Sequence, residues 1–139
     1  AHGYPYTFTD MLRYLSELQS DPERKAHVQR KTLCKTIAGK SCDMLTVTSF
    51  QSDPAEISKR KGVVISSRTH PADSGASFMM EGVIDYLTGP TPQAKTLRDN
   101  FVFQIVPMVN IDGVINGSSR YNLLGFDLQN CWAEPSQEL

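Results

Sequence analysis

Two residues in this sequence could hold a divalent ion from a single corner of the chain. His70 and Asp73 stand three residues apart in SSRTHPADSGA. An imidazole nitrogen and a carboxylate oxygen are both good zinc ligands. Such a corner needs a rigid approach and a rigid exit. Residues 63–67, VVISS, read as a strand buried on both faces. A turn follows at Thr69-His70-Pro71, and residues 74–87 then take up helical spacing. Phe78, Val83, Ile84 and Leu87 are the expected inner face of that helix, and Gly75, Ala76 and Gly82 permit close packing. His-x-x-Asp also arises by chance, and the alternative is a solvent-exposed turn histidine.

A second set of polar residues lies downstream. Residues 88–92, TGPTP, stop the helix, and 93–100 form a short helical segment around Leu97. Residues 101–110, FVFQIVPMVN, read as a second buried strand. Strand, helix and strand within this span make a βαβ unit, whose right-handed crossover sets the two strands parallel. Beyond the second strand, 110–139 is loop-rich, with turn dipeptides at Asp112-Gly113 and Asn116-Gly117. Loops beyond the carboxyl ends of parallel strands are where open α/β sheets keep their sites. The His70 turn lies on the same edge. Arg120, Asp127, Gln129 and Asn130 are therefore expected to gather around His70 and Asp73.

The upstream part supplies packing. Tyr4-Pro5-Tyr6 is extended. Thr7 or Thr9 caps a helix with Met11, Leu12, Leu15 and Leu18 on one face. Asp21-Pro22 starts a short basic helix over about 23–30, with His27 on a solvated face. Residues 32–38 and 44–50 form a hairpin around Gly39-Lys40. Residues 51–60 are a polar loop with a turn at Asp53-Pro54.

The totals fit one domain with one core over 1–139. Fourteen basic residues against fifteen acidic give a net charge of −1, which offers no argument for nucleic acid or an anionic membrane. No apolar run approaches the roughly 20 residues of a membrane helix. The start, AHGYPYTFTD, does not have the pattern of a signal peptide. Cys34, Cys42 and Cys131 have no metal-finger spacing and read as reduced thiols of a cytoplasmic protein. Cys34 and Cys42 could face each other across the hairpin.

Several blocks in order carry a resemblance: PYTFTDMLRYL, TLCKTIAGKSCDMLTVTS, SSRTHPADSGASFMMEG and FVFQIVPMVNIDGVINGSSRYNLLGFDLQNCW. Together they resemble the zinc metallocarboxypeptidases, within them the cytosolic carboxypeptidases that shorten glutamate tails on tubulin. The resemblance implies a three-layer α/β/α domain on a mixed, largely parallel sheet, of which this chain holds the first half. It implies Zn2+ as cofactor and the C-terminal tail of a peptide or protein as substrate. It matches His70 to the first zinc ligand and Asp73 to the ligand glutamate. Asp127 matches the carboxylate that holds the ligand histidine's other nitrogen, and Arg120 the arginine that polarises the scissile carbonyl. Gln129 and Asn130 stand where the family's Asn-Arg pair grips the substrate's terminal carboxylate.

The departures have physical content. Aspartate at 73 is one methylene shorter than glutamate, so its oxygen is expected to fall about 1.5 Å short unless the backbone moves, against a tolerance of about 0.2 Å. A neutral amide at 130 cannot reproduce a guanidinium–carboxylate fork. Ile111 replaces a turn proline. The third zinc ligand and the general-base glutamate come, in the family, from the second half of the domain. Of His2, His27 and His70, only His70 is placed by the motif. A half-sheet leaves an apolar edge to be covered by the missing half or by self-association. The expectation is a front half of a zinc carboxypeptidase, inactive by itself. The alternatives are a carboxypeptidase-like pseudoenzyme serving as scaffold or binding module, and an unrelated α/β protein.

Overall fold

The computed structural model describes residues 3–135. Its first element is a helix with a well-made start. The Thr7 hydroxyl accepts from the Asp10 N–H at 3.1 Å, and the Asp10 carboxylate accepts from the Thr7 N–H at 2.9 Å. This reciprocal cap opens α1 (Phe8–Ser20). Met11, Leu15 and Leu18 are buried at helical spacing, while Leu12, about 100° around from Met11, is exposed.

Asp21 closes α1 and caps α2 (Pro22–Lys25) by accepting from the Glu23 and Arg24 N–H groups. Here the sequence expectation fails. The second helix stops at Lys25, because Val28 onward is drawn into strand pairing as β1 (Val28–Lys35). Nor is the basic cluster a freely solvated face. Arg24 bonds Tyr14, Thr88 and Asp85, and Arg30 forks onto Asp43 at 3.1 and 2.9 Å.

β1 pairs antiparallel with β2 (Ser41–Val47) across a turn at Gly39, whose φ of +76° suits glycine. Cys34 and Cys42 are opposite one another in this ladder, and both are free thiols. Asp53 caps the short α3 (Pro54–Ile57). β3 (Lys61–Ser66), α4 (Ser74–Thr88), α5 (Pro92–Asn100) and β4 (Phe101–Val106) then build the crossover unit, and β3 and β4 are parallel as expected.

The sheet is mixed, in the order β1-β2-β4-β3, with two antiparallel pairings and one parallel. Leu45, Val47, Phe103 and Ile105 face one way. With Met11, Leu15 and Leu18 of α1 and Met80, Ile84 and Leu87 of α4 they form one apolar cluster. The opposite face carries Thr46, Gln104 and Val64 in register. Val64 is 76% exposed, so β3 is not buried on both faces. Among the described residues it is an edge strand.

Two details of α4 also differ. Its buried side is Ser77, Met80, Ile84, Leu87 and Thr88, with Val83 exposed. A Cβ at Gly75 or Gly82 would meet nothing within 4 Å, so these glycines do not serve close packing.

Where loops were expected after β4, α6 (Ile111–Asn116) forms. Asn110 caps it, accepting from the Gly113 N–H at 3.1 Å, and Gly117 at φ +72° ends it. Asp112-Gly113 is therefore inside a helix rather than a turn. The buried Ile111 joins the core, and Val114 packs against it.

Candidate metal centre

β3 and β4 run parallel and end on the same rim, and their exits stay joined beyond the ladder. The Ser67 N–H donates to Val106 O at 3.1 Å, Val109 N–H to Ser67 O at 3.0 Å, and Asn110 N–H to Arg68 O at 3.0 Å. The Asn110 side chain accepts from Gly113 and donates to Thr69 O at 3.2 Å. One amide thus fixes both the start of α6 and the residue before His70. Further along, the Ala72 N–H donates to Ser119 O at 3.3 Å, which draws the downstream loop to the turn.

That loop brings Asp127 onto His70. The His70 Nε2 lies 3.0 Å from Asp127 Oδ1. Asp127 Oδ1 also accepts from the Gln129 N–H at 3.1 Å. Its Oδ2 accepts from Arg120 Nε at 2.8 Å and from Asn130 Nδ2 at 3.1 Å. Burial tends to raise the Asp127 pKa, but the bonds from His70, Arg120 and the Gln129 backbone outweigh it. The carboxyl sits below its ordinary range. An ionised carboxylate can only accept, which assigns the proton of the neutral ring to Nε2 and leaves a lone pair on Nδ1.

The free nitrogen faces Asp73. Nδ1 lies 3.8 Å from Asp73 Oδ2. Two donors of one tetrahedral zinc, at bonds of about 2.0–2.2 Å, would stand about 3.3–3.5 Å apart, and this pair is a few tenths of an ångström wider. Asp73 occupies the N-cap position of α4 but makes no capping bond, and its side chain is 64% exposed. Among the described residues no group of three His, Cys, Asp or Glu side chains could hold a metal. The corner brings two candidate donor atoms together, His70 Nδ1 and Asp73 Oδ2.

His70, Asp73, Arg120, Asp127 and Asn130 therefore meet as the sequence suggested. Gln129 contributes its backbone N–H, while its residue is exposed. His27 belongs elsewhere. It precedes β1, whose first residue is in register with Val47 and through it with Phe103, near the start of β4, on the rim opposite His70. Burial, followed by the nearby Arg98 charge, pushes its pKa down, with Asp99 opposing. Clefts of 510 and 400 Å³ flank His27, and neither is lined by His70, Arg120 or Asp127. His2 lies outside the described residues.

Sequence reasoning missed two residues that shape the corner. One is Asn110, whose signal was an Asn three residues before Gly113, the N-cap spacing. The other is Arg68, for which the sequence carries no local signal. No helix among the described residues is long and apolar enough to cross a membrane.

A family model described as zinc carboxypeptidase matches residues 11–137. Cytosolic carboxypeptidase 2 of Homo sapiens is 42% identical over 128 residues, which are 92% of this chain and 14% of that protein. Cytosolic carboxypeptidase 3 of Bos taurus is 44% identical over 128 residues, 92% of this chain and 13% of that protein. Among solved structures, a metallo-carboxypeptidase from Burkholderia cenocepacia superposes with a TM-score of 0.82 at 29% identity, covering 96% of this chain and 35% of that one. A metallo-carboxypeptidase from Pseudomonas aeruginosa, in complex with (2-guanidinoethylmercapto)succinic acid, gives 0.77 at 25% identity, covering 96% and 33%. The chain spans about a seventh of the curated relatives named here and about a third of the solved enzymes.

Proposed function

The chain belongs to the zinc carboxypeptidase family, and from that premise we propose that it carries the first part of a site removing C-terminal amino acids from peptide or protein tails. The observation that carries the reading is the chain of contacts from Arg120 through Asp127 to His70, ending on a free Nδ1 that faces Asp73. His70 and Asp73 would supply two of the metal's ligands. Zinc held there would supply Lewis acidity and lower the pKa of a bound water. Asp127 fixes the ring orientation and tautomer of His70. Arg120 is tied, among the described residues, through Nε alone, which leaves its terminal nitrogens for a substrate carbonyl. Gln129 and Asn130 border the place where the substrate's terminal carboxylate is held. The third ligand and the general base are assigned to sequence outside this chain, so the chain by itself is inactive.

The relatives' names support a cytoplasmic location. Glutamate tails such as those of tubulin are the proposed substrate, on the resemblance to that branch. A second reading has its own observation. Asn130 spends its side-chain amide on Asp127 and brings no positive charge to the pocket. This favours a carboxypeptidase-like pseudoenzyme serving as scaffold or binding module.

The test is release of glutamate from a synthetic peptide ending in glutamates, followed by mass spectrometry, with the zinc-loaded protein expressed from its own gene. The peptidase reading expects release that is lost in His70→Ala. The pseudoenzyme reading expects release only after Asp73→Glu, Gln129→Asn and Asn130→Arg are combined. No release from either protein refutes both.

A further inference from the structure

Arg68 is unusual on three counts. It is the one non-glycine residue among those described with a positive φ, at +58°. Only a few per cent of non-glycine residues do this. It is 3% exposed. Its guanidinium has no carboxylate partner among the described residues, and its bonds go to neutral acceptors. Nε and Nη2 donate to Pro71 O at 3.2 and 2.5 Å. Nη1 donates to Tyr6 O at 3.1 Å and to Ser77 Oγ at 2.9 Å.

These bonds form a bracket. The side chain of residue 68 reaches forward to the carbonyl of residue 71, so Thr69 and His70 form an arch closed at its base. The same guanidinium ties that base to the first turn of α4 through Ser77 and to the N-terminal segment through Tyr6. The left-handed backbone at Arg68 is what turns the side chain back under its own loop. Backbone strain of this sort persists only where its surroundings hold it, and it clusters at sites. Burial pulls the Arg68 pKa down, and the charge of Asp73 opposes that pull.

We propose that Arg68 is a positioning residue for the metal corner: its guanidinium closes the turn that sets the His70 imidazole between Asp127 and Asp73. The proposal rests on the functional reading for its consequence, the grip on zinc, but its geometry stands without metal. A lysine keeps the charge yet has one nitrogen and no planar fork, so it cannot hold Pro71, Tyr6 and Ser77 together.

The experiment compares the protein expressed from its own gene with Arg68→Lys, Ser77→Ala and a control, Arg98→Lys. Arg98 is another buried arginine, donating to Leu87 O and Gly89 O, away from the corner. The first readout is diethyl pyrocarbonate modification of His70 in metal-free protein, mapped by mass spectrometry. The second is zinc release to a chromophoric chelator. Arg68→Lys is expected to speed His70 modification severalfold and zinc release about ten-fold, the scale seen when the support of a metal ligand is removed. Ser77→Ala should move both in the same direction by less, and Arg98→Lys should move neither. Equal effects from Arg98→Lys, or unchanged His70 reactivity in Arg68→Lys, would overturn the proposal. If Arg68→Lys does not fold, Ser77→Ala decides, and no change there overturns it. If the parent protein holds no zinc while the reactivity pattern holds, the functional reading fails and the positioning role stands.

Discussion

Replacing Gly113 by alanine separates two physical effects of opposite sign. In an ordinary helix the change stabilises by about 0.5–1 kcal/mol, because glycine loses more backbone freedom on folding. At Gly113 a Cβ would lie 2.5 Å from Pro71 Cγ, 2.6 Å from Asn110 Oδ1 and 2.8 Å from Tyr121 O. All three are closer than side-chain carbons approach. Two of the three neighbours are poorly free to yield. The Asn110 amide caps α6 and holds Thr69, and Tyr121 O is backbone. Overpacking of this kind costs about 1–3 kcal/mol, so the middle of both ranges gives a net loss of about 1 kcal/mol.

Gly82→Ala is the matched control: the same substitution within a helix, with nothing within 4 Å. It should stabilise by about 0.5–1 kcal/mol. Urea denaturation followed by circular dichroism reads both. A Gly113→Ala protein as stable as its parent, or more so, refutes the claim that Gly113 is needed for the close approach of α6 to the His70 turn.

Other consequences can be checked independently. Asp127→Asn keeps the shape but puts an amide nitrogen against donors, and zinc affinity measured by chelator competition should fall about 10–100-fold. The Asp127 carboxyl is held below its ordinary value, so its contribution to folding is fully present above pH of about 4. It is lost only as pH falls from there through the lower folded value, and amide exchange at Gln129 should accelerate over that acid range and not between pH 5 and 7. Leu15→Ala, at a fully buried site, should cost about 2–5 kcal/mol in urea denaturation. Val64→Thr, on the exposed face of β3, should stay within about 0.5 kcal/mol.

Much of this arrangement was legible from local signals, and the failures have identifiable causes. The Thr7 and Asp21 caps, the parallel β3–β4 pair and the meeting of His70 with the downstream loop follow from capping chemistry, crossover handedness and the rule that sites gather at strand ends. The sequence extends the second helix to about Arg30 because residues 26–30 carry no local signal against helix, whereas pairing with β2 decides the residues from Val28 onward. The sequence reads β3 as buried on both faces because Val63, Val64 and Ile65 are an unbroken apolar run. Its place at the edge is set by strand order, which no local window contains. The sequence offers a loop in place of α6 because Asp-Gly and Asn-Gly usually mark turns. Here Gly113 is glycine to admit Pro71, and only Gly117 ends the helix. Arg68 was invisible because its partners Tyr6, Pro71 and Ser77 are brought together only by the fold.

The central claim is that His70 and Asp73 form one corner of a zinc site, with Asp127 behind the ring. Zinc content of the protein expressed from its own gene, measured by inductively coupled plasma mass spectrometry beside His70→Ala, tests it most directly. The account predicts one zinc per protein, lost on removing the imidazole. A metal content of zero in the parent, or one unchanged by His70→Ala, would contradict it.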